Sequence, residues 1–145
     1  KLNDRVVLIE DTKELKCDAK NKLSLLSTKK VSMEELLRAT LRARPDRIIV
    51  GEVRGAEAFT LINAWSTGHK GGISTVHSNS ASRTMSRIET LVGFGTDKVQ
   101  GTLIADAIDL IIYIKKTANR RTIEEIVEVI NYDTQIKEYI TAKLA

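Results

Sequence analysis

The sequence predicts an α/β fold with a mainly parallel sheet flanked by helices. Three observations carry that prediction. Apolar, β-branched runs stand at Arg5–Glu10, Ile48–Val50 and Ile73–Val76, continuous in the way of strands buried on both faces. Each leads into polar residues at its C-terminal end: Asp11, Thr12 and Glu14, then Glu52, then His77. Stretches with helical spacing lie between the later runs, in the alternation that builds a layered α/β domain.

Taken in order, Arg5–Glu10 is the first strand and Leu23–Leu26 a short edge strand. Ser32 opens a helix, with Glu35 completing a Ser-x-x-Glu capping box. Met33, Leu36, Leu37 and Leu41 form its apolar face, and Pro45 stops it. Arg38, Arg42 and Arg44 fall late in this helix, where cations suit the macrodipole. Residues 46–51 are the second parallel strand. Ala56–Thr67 is a helix with the stripe Ala58, Leu61, Ile62 and Trp65, closed by Gly68. Residues 72–77 form the third parallel strand, ending on His77. Asn79 or Ser80 caps a helix to about Val92, and Asp97–Ile108 reads as another, weakened by Gly101. Leu110–Ile114 and Ile123–Ile130 are strands expected to extend or edge the same sheet. Thr117–Arg121 and Asn131–Asp133 are turn signals, and the tail from Gln135 fits either strand or helix.

Composition narrows the function. A length of 145 residues suffices for one domain, burying roughly 70% of the surface its unfolded chain exposes. The net charge of +4 comes without a long Lys/Arg block, so direct sequence-specific nucleic-acid binding is not expected. One cysteine, Cys17, permits no intrachain disulfide and fits a reducing compartment. No run approaches the ~20 apolar residues that span a bilayer, so no transmembrane segment is expected and the protein should be soluble. A Gly-x-Ser-x-Gly elbow is absent around Ser74, and His69 and His77 do not form a His-Glu-x-x-His helix. A serine hydrolase or zinc hydrolase therefore has little support.

Three motifs in order give a resemblance. Ile9-Glu10-Asp11-Thr12-Lys13-Glu14-Leu15 resembles the Asp box of the secretion (traffic) ATPases, residues about 9–15. Ile48-Ile49-Val50-Gly51-Glu52-Val53-Arg54 is similar to their Walker B segment, about 47–54. Gly68-His69-Lys70-Gly71-Gly72-Ile73-Ser74-Thr75-Val76-His77 is similar to their His box, about 68–79. The nearest likeness is to the conjugative-transfer, TrbB-type branch of type IV secretion. No Gly-x-x-x-x-Gly-Lys-Ser/Thr loop occurs in the 145 residues. In the family that loop lies before the Asp box, so the chain resembles the C-terminal part of a RecA-like P-loop NTPase core. Without the strand that leads into that loop, the strand ending at His77 should carry an open edge.

The resemblance implies ATP and Mg as cofactors and a hexameric ring. It also implies a cytoplasmic location, peripheral to the inner membrane and its secretion or conjugation machinery. Nucleotide hydrolysis needs a positioned water, a group to orient it, a metal ion and cations against developing charge. Glu52 is the first candidate for the water-activating carboxylate, with Glu14 second and His77 as a γ-phosphate sensor. Asp11, Arg54, His69 and Gly51 are candidate nucleotide-binding residues. Glu52 and Asp11 are the candidate magnesium ligands, acting through water. A catalytically inactive binding or assembly module is the alternative, because the phosphate loop is absent.

Overall fold

The structure, a computed structural model, describes residues 3–145. Its first half builds a four-stranded, all-parallel sheet from β1 (Val6–Glu10), β2 (Lys22–Leu26), β3 (Arg47–Glu52) and β4 (Ile73–Thr75), in the order β2-β1-β3-β4. All five residues of β1 are buried, as expected for a strand with neighbours on both sides. Ile9 pairs with Val50 and Glu52 with Thr75, so the C-terminal ends of β1, β3 and β4 share one edge of the sheet.

Helix α1 (Met33–Thr40) connects β2 to β3 and runs into a 3₁₀ turn, Leu41–Ala43. Its predicted capping box is present: the Glu35 amide donates to Ser32 Oγ (3.2 Å) and the Ser32 amide to Glu35 Oε2 (2.8 Å). Helix α2 (Glu57–Ser66) connects β3 to β4. Trp65 near its end lies over the start of β4, donating from Nε1 to the Ile48 carbonyl (3.2 Å). Gly68 follows with φ of 120°, and the His69 amide donates back to the Ala64 carbonyl (3.3 Å). That 6→1 bond is the Schellman closure.

Helices α3 (Ala81–Gly93) and α4 (Gly101–Ala107) follow. Helix α2 touches α1, α3 and α4, and helices on opposite faces of a sheet cannot touch. The four therefore form one layer rather than covering both faces. Right-handed crossovers that step in one direction across a sheet place their helices on the same side, which accounts for it. The core lies beneath this layer, where Val7, Ile9, Ile48 and Val50 meet Leu37, Leu61, Leu91 and Ile104.

Several boundaries differ from the sequence expectation. Strand β4 stops at Thr75, so His77 lies two residues beyond it. The helix expected from Asp97 begins at Gly101, because Thr96 Oγ1 accepts the Lys98 amide (3.2 Å) in a local turn that competes with helix. The strands after residue 109 do not join the parallel sheet. β5 (Leu110–Lys116), β6 (Arg121–Asp133) and β7 (Glu138–Lys143) form a separate antiparallel sheet. The tail is thus a strand, and Asn131 and Tyr132 lie within β6. The turn starts one step later, where Asp133 Oδ1 accepts the amides of Gln135 (2.8 Å) and Ile136 (3.2 Å). The inner face of this sheet packs on α3 and α4 through Ile111, Tyr113, Val129 and Tyr139. Its outer face presents Leu110, Ile112, Ile114 and Ile123 to solvent. β4 is the edge of the parallel sheet, and its Ile73 is 64% exposed.

A Cβ at Gly72 would overlap the Trp65 indole and the Ile48 carbonyl, whereas one at Gly93 would meet only Val99 at 3.5 Å. Gly72→Ala is expected to destabilise the chain by about 2–3 kcal/mol, the cost of overpacking a filled site. Gly93→Ala, in a helix, should be neutral or stabilising by up to ~1 kcal/mol. Urea midpoints of the two variants check this.

Candidate active site

Because β1, β3 and β4 run parallel, with one register shift between Val50 and Glu52, three polar strand ends meet at one edge, the position where open α/β sheets bind ligands. Glu52 closes β3. Arg54 Nη2 donates to its Oε2 at 2.6 Å, and Arg54 Nη1 donates to Asp11 Oδ2, past the end of β1, at 2.9 Å. Arg54 is itself held by its backbone. Its amide and that of Gly55 donate to Glu57 Oε1 (2.6 and 2.9 Å), so the first residue of α2 fixes the turn after β3. The charge on Glu14 also acts on Arg54. The guanidinium therefore sits among three carboxylates, which push its pKa up, the Glu52 hydrogen bond first.

The hydrogen bond from Arg54 holds the Glu52 carboxyl below the usual carboxylate range. Burial opposes this, and the charges of Arg54 and His77 assist it. Glu52 is ionised at neutral pH and nearly enclosed, its side chain 17% exposed. Its second oxygen, Oε1, is buried without a hydrogen-bond donor. His77 Nε2 stands 3.2 Å from it without forming a hydrogen bond, on a side chain 92% exposed. A buried carboxylate oxygen that lacks a donor is costly unless a further partner arrives. Here the nearest polar group is His77 Nε2, whose exposed side chain covers Oε1.

The structure thus brings together Glu52, Arg54, Asp11, Glu14 and His77. It does not bring in His69. Helix α2 runs back from this edge, so its C-terminus lies at the opposite edge of the sheet. There His69 Nδ1 lies 3.0 Å from the Ala64 carbonyl and closes the helix. Gly51 lies inside β3 against the stem of Glu10, and its carbonyl accepts the Thr75 hydroxyl (2.7 Å).

Sequence reasoning passed over three residues here. Glu10, only 3% exposed, accepts the amides of Glu14 (2.9 Å) and Leu15 (2.7 Å) on Oε1. Its position as the last residue of an apolar run was the available signal. Arg83 and Arg87, four apart on α3, line an open groove of about 570 Å³ that starts at His77, Ser78 and Asn79. Their helical spacing after the Ser80 cap was legible, but nothing in the sequence tied them to His77. Among the described residues no cluster of three or more acidic, His or Cys side chains could cage a metal. The donor set fits magnesium only in its usual manner, through one or two carboxylates together with waters and phosphate oxygens. Asp11 Oδ2 and Glu52 Oε2 are both engaged by Arg54, which favours contact through water.

A parallel core with its helices on one layer and carboxylates at the strand ends defines a RecA-like α/β core. The family model described as "Type II/IV secretion system protein" matches residues 1–142. The chain belongs to this family. It is 43% identical over 130 residues to conjugal transfer protein TrbB of Rhizobium radiobacter, covering 90% of this chain and 40% of that protein. It is 36% identical over 141 residues to type IV secretion system protein PtlH of Bordetella pertussis, covering 87% and 41%. Among solved structures, the VirB11 ATPase of the Brucella suis type IV secretion system, in complex with sulphate, superposes with a TM-score of 0.79. That match is at 28% identity and covers 87% of this chain and 40% of that one. The Legionella pneumophila ATPase DotB shares the fold, with a TM-score of 0.63 at 23% identity, over 97% of this chain and 36% of that one. The chain spans about 40% of the length of these relatives. Among the described residues, no helix is long and apolar enough to cross a membrane.

A carboxyl depressed in the folded state contributes stability above the ordinary carboxylate range and loses it as pH falls through its lowered value. In Arg54→Met the largest cause of the depression is gone, and burial of Glu52 is opposed only by the charge of His77. The variant should therefore start from lower stability at neutral pH and lose less of it than the parent chain as the pH falls. Urea denaturation at steps between pH 7 and 3 reads the difference, and superimposable profiles would contradict the coupling.

Proposed function

We propose that residues 1–145 are the later part of an ATP-hydrolysing domain that powers conjugative DNA transfer or type IV secretion. In this reading residues about 9–15 form the Asp box, 47–54 the Walker B segment and 68–79 the His box. Glu52 supports it most directly: an ionised carboxylate at a strand end, held by Arg54 through one oxygen, with the other lacking a hydrogen bond and covered by the exposed His77, whose movement would admit a water. In that role Glu52 orients the attacking water, Arg54 fixes the carboxylate's rotamer, and Asp11 and Glu14 fix Arg54. His77, exposed and 3.2 Å from Glu52, can turn between that carboxylate and a phosphate oxygen. Arg83 and Arg87 add positive charge along the groove below it. Magnesium, when bound, would neutralise phosphate charge, with Glu52 and Asp11 reaching it through water.

The relatives' names, in conjugal transfer and type IV secretion, suggest the setting. The parent would be a cytoplasmic, ring-forming ATPase, hexameric by resemblance, peripheral to an inner-membrane transfer apparatus. A second reading, a binding or assembly module without catalysis, rests on one observation. No phosphate loop of the Gly-x-x-x-x-Gly-Lys-Ser/Thr form lies within these residues.

In the intact parent, Glu52→Gln is expected to keep nucleotide affinity and lower turnover by ~100-fold or more, the scale of a lost general base. His77→Ala should lower turnover more than affinity. Steady-state ATPase assays paired with nucleotide titration measure both. Turnover within a few-fold of the parent in Glu52→Gln would remove Glu52 from this role and turn attention to Glu14. Residues 1–145 alone should show no magnesium-dependent ATPase activity.

A further inference from the structure

Glu10 is a carboxylate at the end of a central, fully buried strand, 3% exposed and given no part in the chemistry above. Its surroundings are specific. Oε1 accepts two amides from the segment that follows β1, Glu14 at 2.9 Å and Leu15 at 2.7 Å. Its own carbonyl accepts the Ser27 amide (2.8 Å) just beyond β2. Its stem packs on Gly51, the residue before Glu52, where a Cβ would stand 3.4 Å from Glu10 Cγ. One residue thus ties the loop over residues 11–15 to β3 through its side chain and to the end of β2 through its carbonyl. Asp11 lies inside that loop, and Asp11 is the second anchor of Arg54 (2.9 Å).

We propose that Glu10 is a positioning residue: by gripping the amides of Glu14 and Leu15 it folds the loop so that Asp11 meets Arg54, and so holds Arg54 against Glu52. The chemistry suits the task. A carboxylate takes two backbone donors on one oxygen through charge-assisted bonds, which are short and strong in a buried setting. A loop of irregular backbone has no ladder of its own to satisfy those amides. Glutamine keeps an oxygen acceptor in the same place, whereas alanine leaves both amides unpaired. Glu10 therefore acts on Glu52 through two intermediaries, the loop and the guanidinium, and touches no substrate. Only the activity arm of the test rests on the ATPase reading.

Two signals in the 145-residue chain separate this role from a merely structural one. They are the exchange rates of the Glu14 and Leu15 amides and of the Arg54 guanidinium protons, followed by NMR. Glu10→Ala is expected to speed all of them by roughly 10- to 100-fold, the scale of two lost bonds to a charged group. Glu10→Gln should restore them to within a few-fold. Asp11→Ala cuts the path further along. It should free the Arg54 protons and leave the Glu14 and Leu15 amides protected, which keeps the test decisive if Glu10→Ala does not fold. In the intact parent, Glu10→Ala should lower kcat about 10-fold with KM for ATP little changed, and Glu10→Gln should recover it. An Arg54 signal unmoved by both Glu10→Ala and Asp11→Ala overturns the proposal whatever the activity shows. So does failure of Glu10→Gln to restore it. A parent with no ATPase activity would sink the functional reading, and the exchange data would still decide this one.

Discussion

Parallel pairing of β1, β3 and β4 is the constraint on which the rest depends. Parallel neighbours send their C-terminal ends to the same edge, so residues 11, 52 and 77 become neighbours although dozens of positions separate them. A slip of one residue in any pair would turn each strand's side chains to the opposite face. Strand β1 has no exposed face on which such a slip could be tolerated. Burial of Val7, Ile9, Ile48 and Val50 therefore sets the register up to Val50, and the shift at Gly51 then places Glu52 opposite Thr75.

Electrostatics completes what the sheet begins. Three carboxylates and one guanidinium at a strand edge would repel or wander if they faced water singly. Around Arg54 they form an arrangement in which each acid has a defined neighbour. Much of it is exposed, and exposed ion pairs contribute little to stability. Its value is geometric, since it holds one oxygen of Glu52 and leaves the other without a hydrogen bond beside His77. The Glu57 side chain adds a backbone lock at the start of α2, which has no side-chain cap from Ala56.

The strands of the parallel sheet were legible because their apolar runs are short, β-branched and bounded by polar residues. Helix α1 was legible from its capping box, and α2 from its stripe and Gly68. The independence of the second sheet was not. Apolar density at Leu110–Ile114 marks a strand but carries no information about its partner, and β6 answers through a four-residue turn. The end of β4 at Thr75 escaped because Val76 is as apolar as the strand before it, and only pairing with β3 decides where the ladder stops. At the site, the residue types were readable at Glu52, Asp11 and His77. The grip of Glu10 was not, because a glutamate closing an apolar run looks the same whether it faces solvent or folds back onto amides.

The separation into two sheets has a kinetic consequence. β5, β6 and β7 join through successive hairpins, and hairpins close in roughly 1–10 μs. The parallel sheet must bring Val6 to Arg47 and Ile49 to Ile73 across intervening helices, and distant pairings of that sort are slow to form. The two halves thus mature on different clocks, the site-bearing one later. Synthesis from the N-terminus offsets the difference: the slow half leaves the ribosome first and has the time in which the fast half is being made.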